Sequence, residues 1–153
     1  VFAAEWYSGL AELPENITLN DSYWQQIQQV KTAVNKELEM ARKEGVIGSS
    51  LQAELTLYCS DSLLEQLKLL GDELRFVLIT SGVNLRPFAE SQNSDAKETE
   101  IDGLSVLVSA SDGTKCARCW HYLHDVGTVE AHPEICGRCV ENIDGAGETR
   151  QYA

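Results

Sequence analysis

The sequence lacks any hydrophobic run long enough to cross a bilayer, since its longest apolar stretches, such as residues 76–79, are only four residues long. A membrane-spanning helix needs roughly 20 consecutive apolar residues. No basic segment followed by an apolar one opens the chain, so no secretory signal is indicated. We therefore expect no membrane partner, and the cysteine pattern described below predicts a cytoplasmic protein. Because the chain begins at Val1 without a Met, we also expect a piece of a longer protein.

Basic residues are scarce: 12 Lys and Arg face 24 Asp and Glu, which gives a net charge of -12. This balance argues against broad nonspecific binding to nucleic acid, which depends on clustered Lys and Arg. Residues 113–124 are an exception, because they hold Lys115 and Arg118 and no acid. Any contact with RNA must be confined to such a segment or be assisted by a larger body.

The sequence has too few cysteines, and an odd number, for a disulfide framework. Four of the five fall in two CxxC pairs, and Cys59 stands alone. Paired short spacings of this kind are typical of a metal site in a reducing compartment. Cys59 lies in an alternating segment, residues 53–59, and we interpret it as a small core residue.

Hydrophobic periodicity predicts an α+β fold that ends in a metal-binding module. A helix over residues 22–44 carries an apolar stripe and opens on a Ser22–Gln25 capping box. A strand follows at 53–59 and a helix at 62–70, and a right-handed crossover favours a later strand in the same sheet. The stripe of the first helix consists of Trp24, Ile27, Val30, Val34, Leu38 and Ala41.

The rest of the chain is less regular. The short apolar run from Leu74 to Ile79 fits either a helix or a strand, and we favour a short helix that runs into an extended segment near residues 83–85. Residues 90–100 are polar throughout and predict a flexible loop. Alternation at Leu104, Val106 and Val108 predicts another strand. The predicted units are a lead-in over 1–20, an α+β domain over 21–112 and a cysteine module over 113–153.

The cysteine module has the pattern Cys116-x2-Cys119, sixteen residues, then Cys136-x2-Cys139. Two such turns can close a tetrahedron of sulfur around one Zn(II) ion, and four thiolates leave no open position for catalysis. We therefore predict one structural zinc ion in a ribbon-like module, with a hairpin between the pairs near Gly127. Lys115, Arg118 and Arg138 lie close enough to offset the negative charge of the site.

These residues fit other uses as well. Redox chemistry needs only one CxxC pair, and a rubredoxin-like iron site would use the same four sulfurs. His121, His124 and His132 could each replace a cysteine, although surface or hairpin packing is the simpler interpretation. Trp120, beside Arg118 and His121, either covers the metal turn or stacks on an unpaired RNA base. Lys115, Arg118, Trp120 and Arg138 are the RNA-contact candidates.

Two motifs, Lys115-Cys-Ala-Arg-Cys-Trp-His-Tyr122 and Ile135-Cys-Gly-Arg-Cys-Val140, resemble the C-terminal zinc module of bacterial isoleucyl-tRNA synthetase. The resemblance extends upstream to residues 34–42, 47–51 and 70–78, and Glu5-Trp6-Tyr7 resembles the exit from the anticodon-binding helical domain. It therefore covers nearly the whole chain.

The resemblance implies a cytoplasmic ligase that joins isoleucine to its tRNA with ATP. This chain lacks the family's catalytic signatures and its editing domain. The resemblance therefore implies that the chain is a non-catalytic part of the synthetase, which positions isoleucine tRNA together with the rest of the enzyme. One alternative is the DNA-binding zinc finger of a formamidopyrimidine-DNA glycosylase-like protein. Another is a purely structural interaction domain held by zinc, which the acidic charge favours.

Overall fold

The computed structural model describes residues 5, 7–9 and 17–153 of the chain. Most of the lead-in predicted for residues 1–20, including Trp6, lies outside these described residues. Among the helices that are described, none is both long enough and apolar enough to span a bilayer. From residue 21 to 112 the chain forms a helix-covered sheet, which we call the body, and the cysteine module follows it.

Helix α1 runs over Asp21–Lys43 and begins one residue earlier than the sequence predicted. Its N-cap is Asn20, whose Oδ1 accepts a hydrogen bond from the Tyr23 amide at 3.0 Å. The predicted capping box at Ser22 is wrong, because the Ser22 hydroxyl donates to Asn20 Oδ1 at 2.7 Å instead. Asparagine at this position satisfies a free N–H of the first turn.

The apolar stripe of α1 is buried as predicted, with one exchange at its start. Tyr23 is buried, whereas the predicted Trp24 is only partly covered. The Tyr23 hydroxyl donates to the Gln66 carbonyl at 3.0 Å, and this bond ties α1 to the next helix. The remaining buried residues of α1 are Ile27, Val30, Ala33, Val34, Leu38 and Ala41.

A parallel crossover forms the centre of the body. Its elements are β1 (Ala53–Cys59), α2 (Asp61–Lys68), α3 (Leu74–Leu78) and β2 (Gly82–Pro87). Strands β1 and β2 pair in parallel, with Leu55 opposite Val83. The predicted strand, the helix after it, the short helix and the extended segment are therefore confirmed.

The remaining strands complete a four-stranded sheet in the order β2-β1-β4-β3. Strand β4 (Leu104–Ala110), which the alternation predicted, pairs antiparallel with β1. The prediction of a flexible loop over residues 90–100 is wrong in two places, because a 3-10 helix spans Phe88–Asn93 and Lys97–Glu98 forms the edge strand β3. A two-residue strand carries too little pattern to be recognised in a polar segment.

The core lies between the sheet and the helices, and α1 packs against β4 while α2 packs against β2. Cys59 is completely buried in this core, and burial raises the pKa of its thiol to about 12. Its interpretation as a small core residue is confirmed. The sheet contributes Leu55, Leu57, Leu104 and Val106 to the same core.

The cysteine module adds a small hairpin and one helix, so the α+β fold with a four-cysteine module is confirmed. Strands β5 (Thr114–Lys115) and β6 (Tyr122–Leu123) pair antiparallel, and α4 spans Gly137–Asp144. The hairpin predicted between the two cysteine pairs is wrong, since the hairpin instead encloses the first pair. Gly127, expected at its tip, lies in a turn with φ 82°.

Candidate metal centre

The first cysteine pair sits in the turn between β5 and β6. The Trp120 amide donates to the Cys116 carbonyl at 3.0 Å, and the Cys116 amide donates to the His121 carbonyl at 2.9 Å. These two bonds fold residues 116–121 into a compact turn. We call this turn the knuckle; it carries the sulfurs of Cys116 and Cys119.

The second pair is presented by the start of α4. Cys136 is the N-cap residue of this helix, and Cys139 lies in its first turn. The Asp125 carboxylate accepts from the Gly137 amide at 2.9 Å, which fixes the helix start. The Ala117 amide donates to the Glu134 carbonyl at 2.9 Å and joins the two halves of the module.

The four sulfur atoms have the spacing that a tetrahedral zinc site requires. Sγ of Cys116 lies 3.8 Å from that of Cys139, and the sulfurs of Cys119 and Cys136 are also 3.8 Å apart. All four lie within 4.8 Å of one another. A tetrahedron with Zn–S distances of about 2.3 Å has edges of about 3.8 Å, so the four thiolates fit zinc.

Burial and hydrogen bonding act on these thiols in opposite directions. Burial raises the pKa of Cys116, but backbone N–H groups that point at its sulfur more than compensate and lower the pKa to about 6. One of them is the Cys136 amide, 3.4 Å from the sulfur. Burial raises the pKa of Cys136 and of Cys139. Burial therefore disfavours the thiolate forms of Cys136 and Cys139, and a cation bound among the sulfurs would offset this effect.

The predicted cations occupy different places around the cluster. Arg118 Nη1 lies 3.7 Å from Cys139 Sγ, so its charge acts directly on a sulfur. Lys115 is exposed, with Nζ 5.6 Å from the centre of the Trp120 ring. The Arg138 side chain is only 16% exposed and pairs with Glu148 at 2.9 Å, which favours a packing role.

Trp120 projects from the knuckle into solvent. The residue is 60% exposed and has a φ of 66°, in the left-handed region that glycine occupies most readily. A bulky residue in this region is uncommon. The knuckle therefore holds a large aromatic ring outward at a position where backbone conformation favours glycine.

The three histidines do not join the sulfur cluster. His121 is buried, and its Nδ1 donates to the Cys119 carbonyl at 3.2 Å. Burial lowers its pKa, and nearby guanidinium groups strengthen this effect. His132 pairs with Asp144 at 2.6 Å, whereas His124 is exposed near Asp112. Their positions agree with the packing roles expected from the sequence.

Several residues that position the knuckle could not be identified from the sequence. The Tyr122 amide donates to Ser81 Oγ at 2.7 Å, which attaches the module to the body. The ring centres of Phe76 and His121 lie 5.6 Å apart in a T-shaped arrangement. These partners are separated by 41 and 45 positions along the chain, so no local pattern could reveal them.

Residues 113–142 match the family described as "Zinc finger found in FPG and IleRS". The matched segment contains all four clustered cysteines and the knuckle. The sequence match and the sulfur geometry agree in indicating zinc binding by this module.

The whole chain is similar to bacterial isoleucine–tRNA ligases. It is 54% identical over 153 residues to the enzyme of Aliivibrio fischeri, and 54% identical over 153 residues to that of Pseudomonas aeruginosa. It is 56% identical over 148 residues, or 97% of the chain, to that of Azotobacter vinelandii. The first two matches cover 100% of this chain, and in each case the chain spans 16% of the relative's length. The predicted resemblance to isoleucyl-tRNA synthetase is confirmed.

Proposed function

We propose that Cys116, Cys119, Cys136 and Cys139 bind one zinc ion, and that the knuckle helps position isoleucine tRNA on an isoleucine–tRNA ligase. The relatives are whole ligases, and this chain corresponds to 16% of their length. Isoleucylation and ATP binding are therefore assigned to the rest of the synthetase. The role of this chain is to bind and orient, in the cytoplasm, without catalysis of its own.

The zinc ion acts as a structural crosslink between the knuckle and the start of α4. Four cysteine ligands fill a tetrahedral site, so no position remains for a catalytic water. Apart from the cysteines, the partly buried hydrophobic residues that pack on this cluster, within the described part of the chain, are Leu123, Val126 and Ile135. Such a small apolar cluster cannot hold the module by itself, so metal binding supplies most of its folding free energy.

The conformation of Trp120 is the observation that carries the tRNA proposal. Backbone strain that persists in a folded protein often marks a functional position. Here the strained residue offers an exposed ring, which suits stacking on an unpaired base, an interaction worth about 1–3 kcal/mol. Sequence-specific RNA recognition usually targets such splayed bases.

The charges around Trp120 support a contact with the RNA backbone. Lys115, next to the knuckle, and Arg118, on it, are both exposed and lie in a segment without acids, although the chain as a whole is acidic. A phosphate next to a stacked base would therefore meet local positive charge. Arg138, also predicted to contact RNA, would contribute indirectly by holding α4 in place.

The proposed division of the chain keeps the predicted boundaries. Residues 1–20 lead in from an anticodon-binding helical domain, residues 21–112 form the body and residues 113–153 form the cysteine module. The start of α1 at Asp21 and the separate sheet of the module support these limits. In the ligase, the body would connect the module to the preceding domains.

Substitutions of Trp120 in the zinc-loaded, full-length ligase test the tRNA role. We expect Trp120→Ala to weaken tRNA binding about 5- to 150-fold, because one stacked base is lost. Trp120→Gly should weaken it equally while relieving the backbone strain, which separates loss of the ring from damage to the knuckle. Trp120→Phe should retain most of the affinity. Binding is measured with isoleucine tRNA at fixed salt.

Ile143→Ala is the matched control, because Ile143 is 49% exposed on the same module but lies on α4. It should leave tRNA binding unchanged. Equal affinity of the wild type and both ring-deleting variants would reject the proposal in favour of a purely structural zinc module. Tighter binding to duplex DNA than to tRNA would favour the glycosylase-like alternative.

A further inference from the structure

Phe76 lies where four segments of the chain meet. Guanidinium carbons of three arginines lie over its ring, at 4.6, 5.0 and 4.0 Å from the ring centre for Arg75, Arg138 and Arg150. The His121 and Phe76 rings form a T-shaped pair, with 5.6 Å between the ring centres and 75° between the ring planes. These partners come from α3, from α4, from the segment after α4 and from the knuckle. We call these five residues the Phe76 junction.

The arginines of the junction are paired with carboxylates, so they do not form a free anion site. Glu148 accepts from Arg138 at 2.9 Å and from Arg150 at 3.0 Å. Asp72 pairs with Arg75 at 2.8 Å. Cation–π contacts gain strength when the cation is shielded from water, and Arg75 is only 13% exposed. The junction is therefore a contact between body and module in which two carboxylates neutralise most of the charge of three guanidinium groups.

The junction reaches Trp120 through the backbone of the knuckle. His121 follows Trp120 directly, and its ring is fixed by Phe76 on one side and by the Cys119 carbonyl on the other. Its own carbonyl accepts from the Cys116 amide. Trp120 thus lies between two residues that are each held in place, which maintains its left-handed φ.

We propose that Phe76 is a positioning residue for the Trp120 ring. Phe76 sets the orientation of the knuckle relative to the body. This inference rests on the proposed tRNA role of Trp120. A Trp120 ring that is already fixed in the free protein loses less conformational entropy on binding RNA, so it binds more tightly than a mobile ring. Phe76 contributes this through His121, without touching the tRNA.

The test compares Phe76→Ala and Phe76→Leu with Phe88→Ala in the zinc-loaded, full-length protein. Phe88 is a partly exposed aromatic of the body outside the junction. We expect both Phe76 variants to retain zinc but to exchange amide hydrogens in residues 114–124 about tenfold faster. The KM for tRNA should rise about tenfold, with kcat and the tRNA-independent activation of isoleucine unchanged. Phe76→Tyr keeps the ring and should restore both values.

Unchanged exchange over residues 114–124 in both Phe76 variants would overturn the inference. Faster exchange with unchanged tRNA affinity would support the positioning role of Phe76 and refute the RNA role of Trp120, so the two proposals fail separately. If the Phe76 variants do not fold, Arg150→Ala removes the guanidinium nearest to the ring and tests the same contact. Its exchange over residues 114–124 should rise in the same way, and no rise would count against the junction.

Discussion

The body and the cysteine module are held together by different physical effects. The body buries 19 core residues, among them Leu55, Leu57 and Leu67 with no exposed surface. The buried residues of the module's own cluster are three cysteines. One region is therefore stabilised by apolar burial, and the other depends on a bond network that a metal completes.

This difference shows how a segment of about forty residues can carry a rigid surface without a core of its own. Domains this small usually need a metal or disulfides. The module also contacts the body through Ser81 and Phe76, so its orientation depends on these contacts as well as on the metal. The metal fixes the internal shape of the knuckle, and the body fixes its direction.

The largest expected effect comes from removing one sulfur. Cys139→Ser should abolish tight zinc binding and unfold the module, because structural zinc contributes about 10–16 kcal/mol to small domains of this kind. The body should keep its cooperative transition, since its core contains no zinc ligand. Zinc content and residue-resolved hydrogen exchange measure the two regions separately.

Cys59→Ala is the control for that prediction, because Cys59 is a buried cysteine outside the cluster. It should leave the zinc content unchanged and affect only the stability of the body. Simultaneous unfolding of both regions in Cys139→Ser would contradict the proposed separation.

A substitution in the apolar core should destabilise the body and leave the cysteine module unaffected, the opposite of Cys139→Ser. Leu67 is completely buried in α2, so Leu67→Ala should destabilise the body by about 2–5 kcal/mol. Leu69, 45% exposed, provides a matched control in which the same change should cost little. Denaturant unfolding measures the effect. Zinc affinity at low denaturant should not change, and a weaker affinity would show that the two regions are energetically coupled.

The sequence predicted the body well because its elements carry strong periodic patterns. The burial of strand β1 alternates from Ala53 to Leu57, and α1 repeats apolar residues at three and four positions. The start of α1 was misplaced since two neighbouring polar residues, Asn20 and Ser22, can both act as caps. Strand β3 was missed because its pairing depends on β4 and not on its own two residues.

The module was predicted differently, from spacing and not from periodicity. Two CxxC pairs were sufficient to predict that four sulfurs meet, because the chemistry of zinc restricts the arrangement. Spacing could not reveal the hairpin around the first pair, nor the left-handed conformation of Trp120. Nor could it reveal the contacts of His121 and Tyr122 with the distant residues Phe76 and Ser81.

The smallest expected effect is a difference in pH dependence: zinc binding by the module should depend on pH, whereas the stability of the body should not. Zinc binds thiolates, and burial raises the pKa of both Cys136 and Cys139, so binding near neutral pH must release at least their two protons. Zinc affinity should then fall about 100-fold when the pH is lowered by one unit, equivalent to about 2.7 kcal/mol. Because the pKa of Cys116 is about 6, a third proton should steepen the loss below that pH. Competition with a chelator between pH 8 and 5.5 measures the slope, while the unfolding transition of the body should stay nearly constant from pH 8 to 7. A slope below one proton would mean that the thiols are already ionised before the metal arrives, and that the module is organised without it.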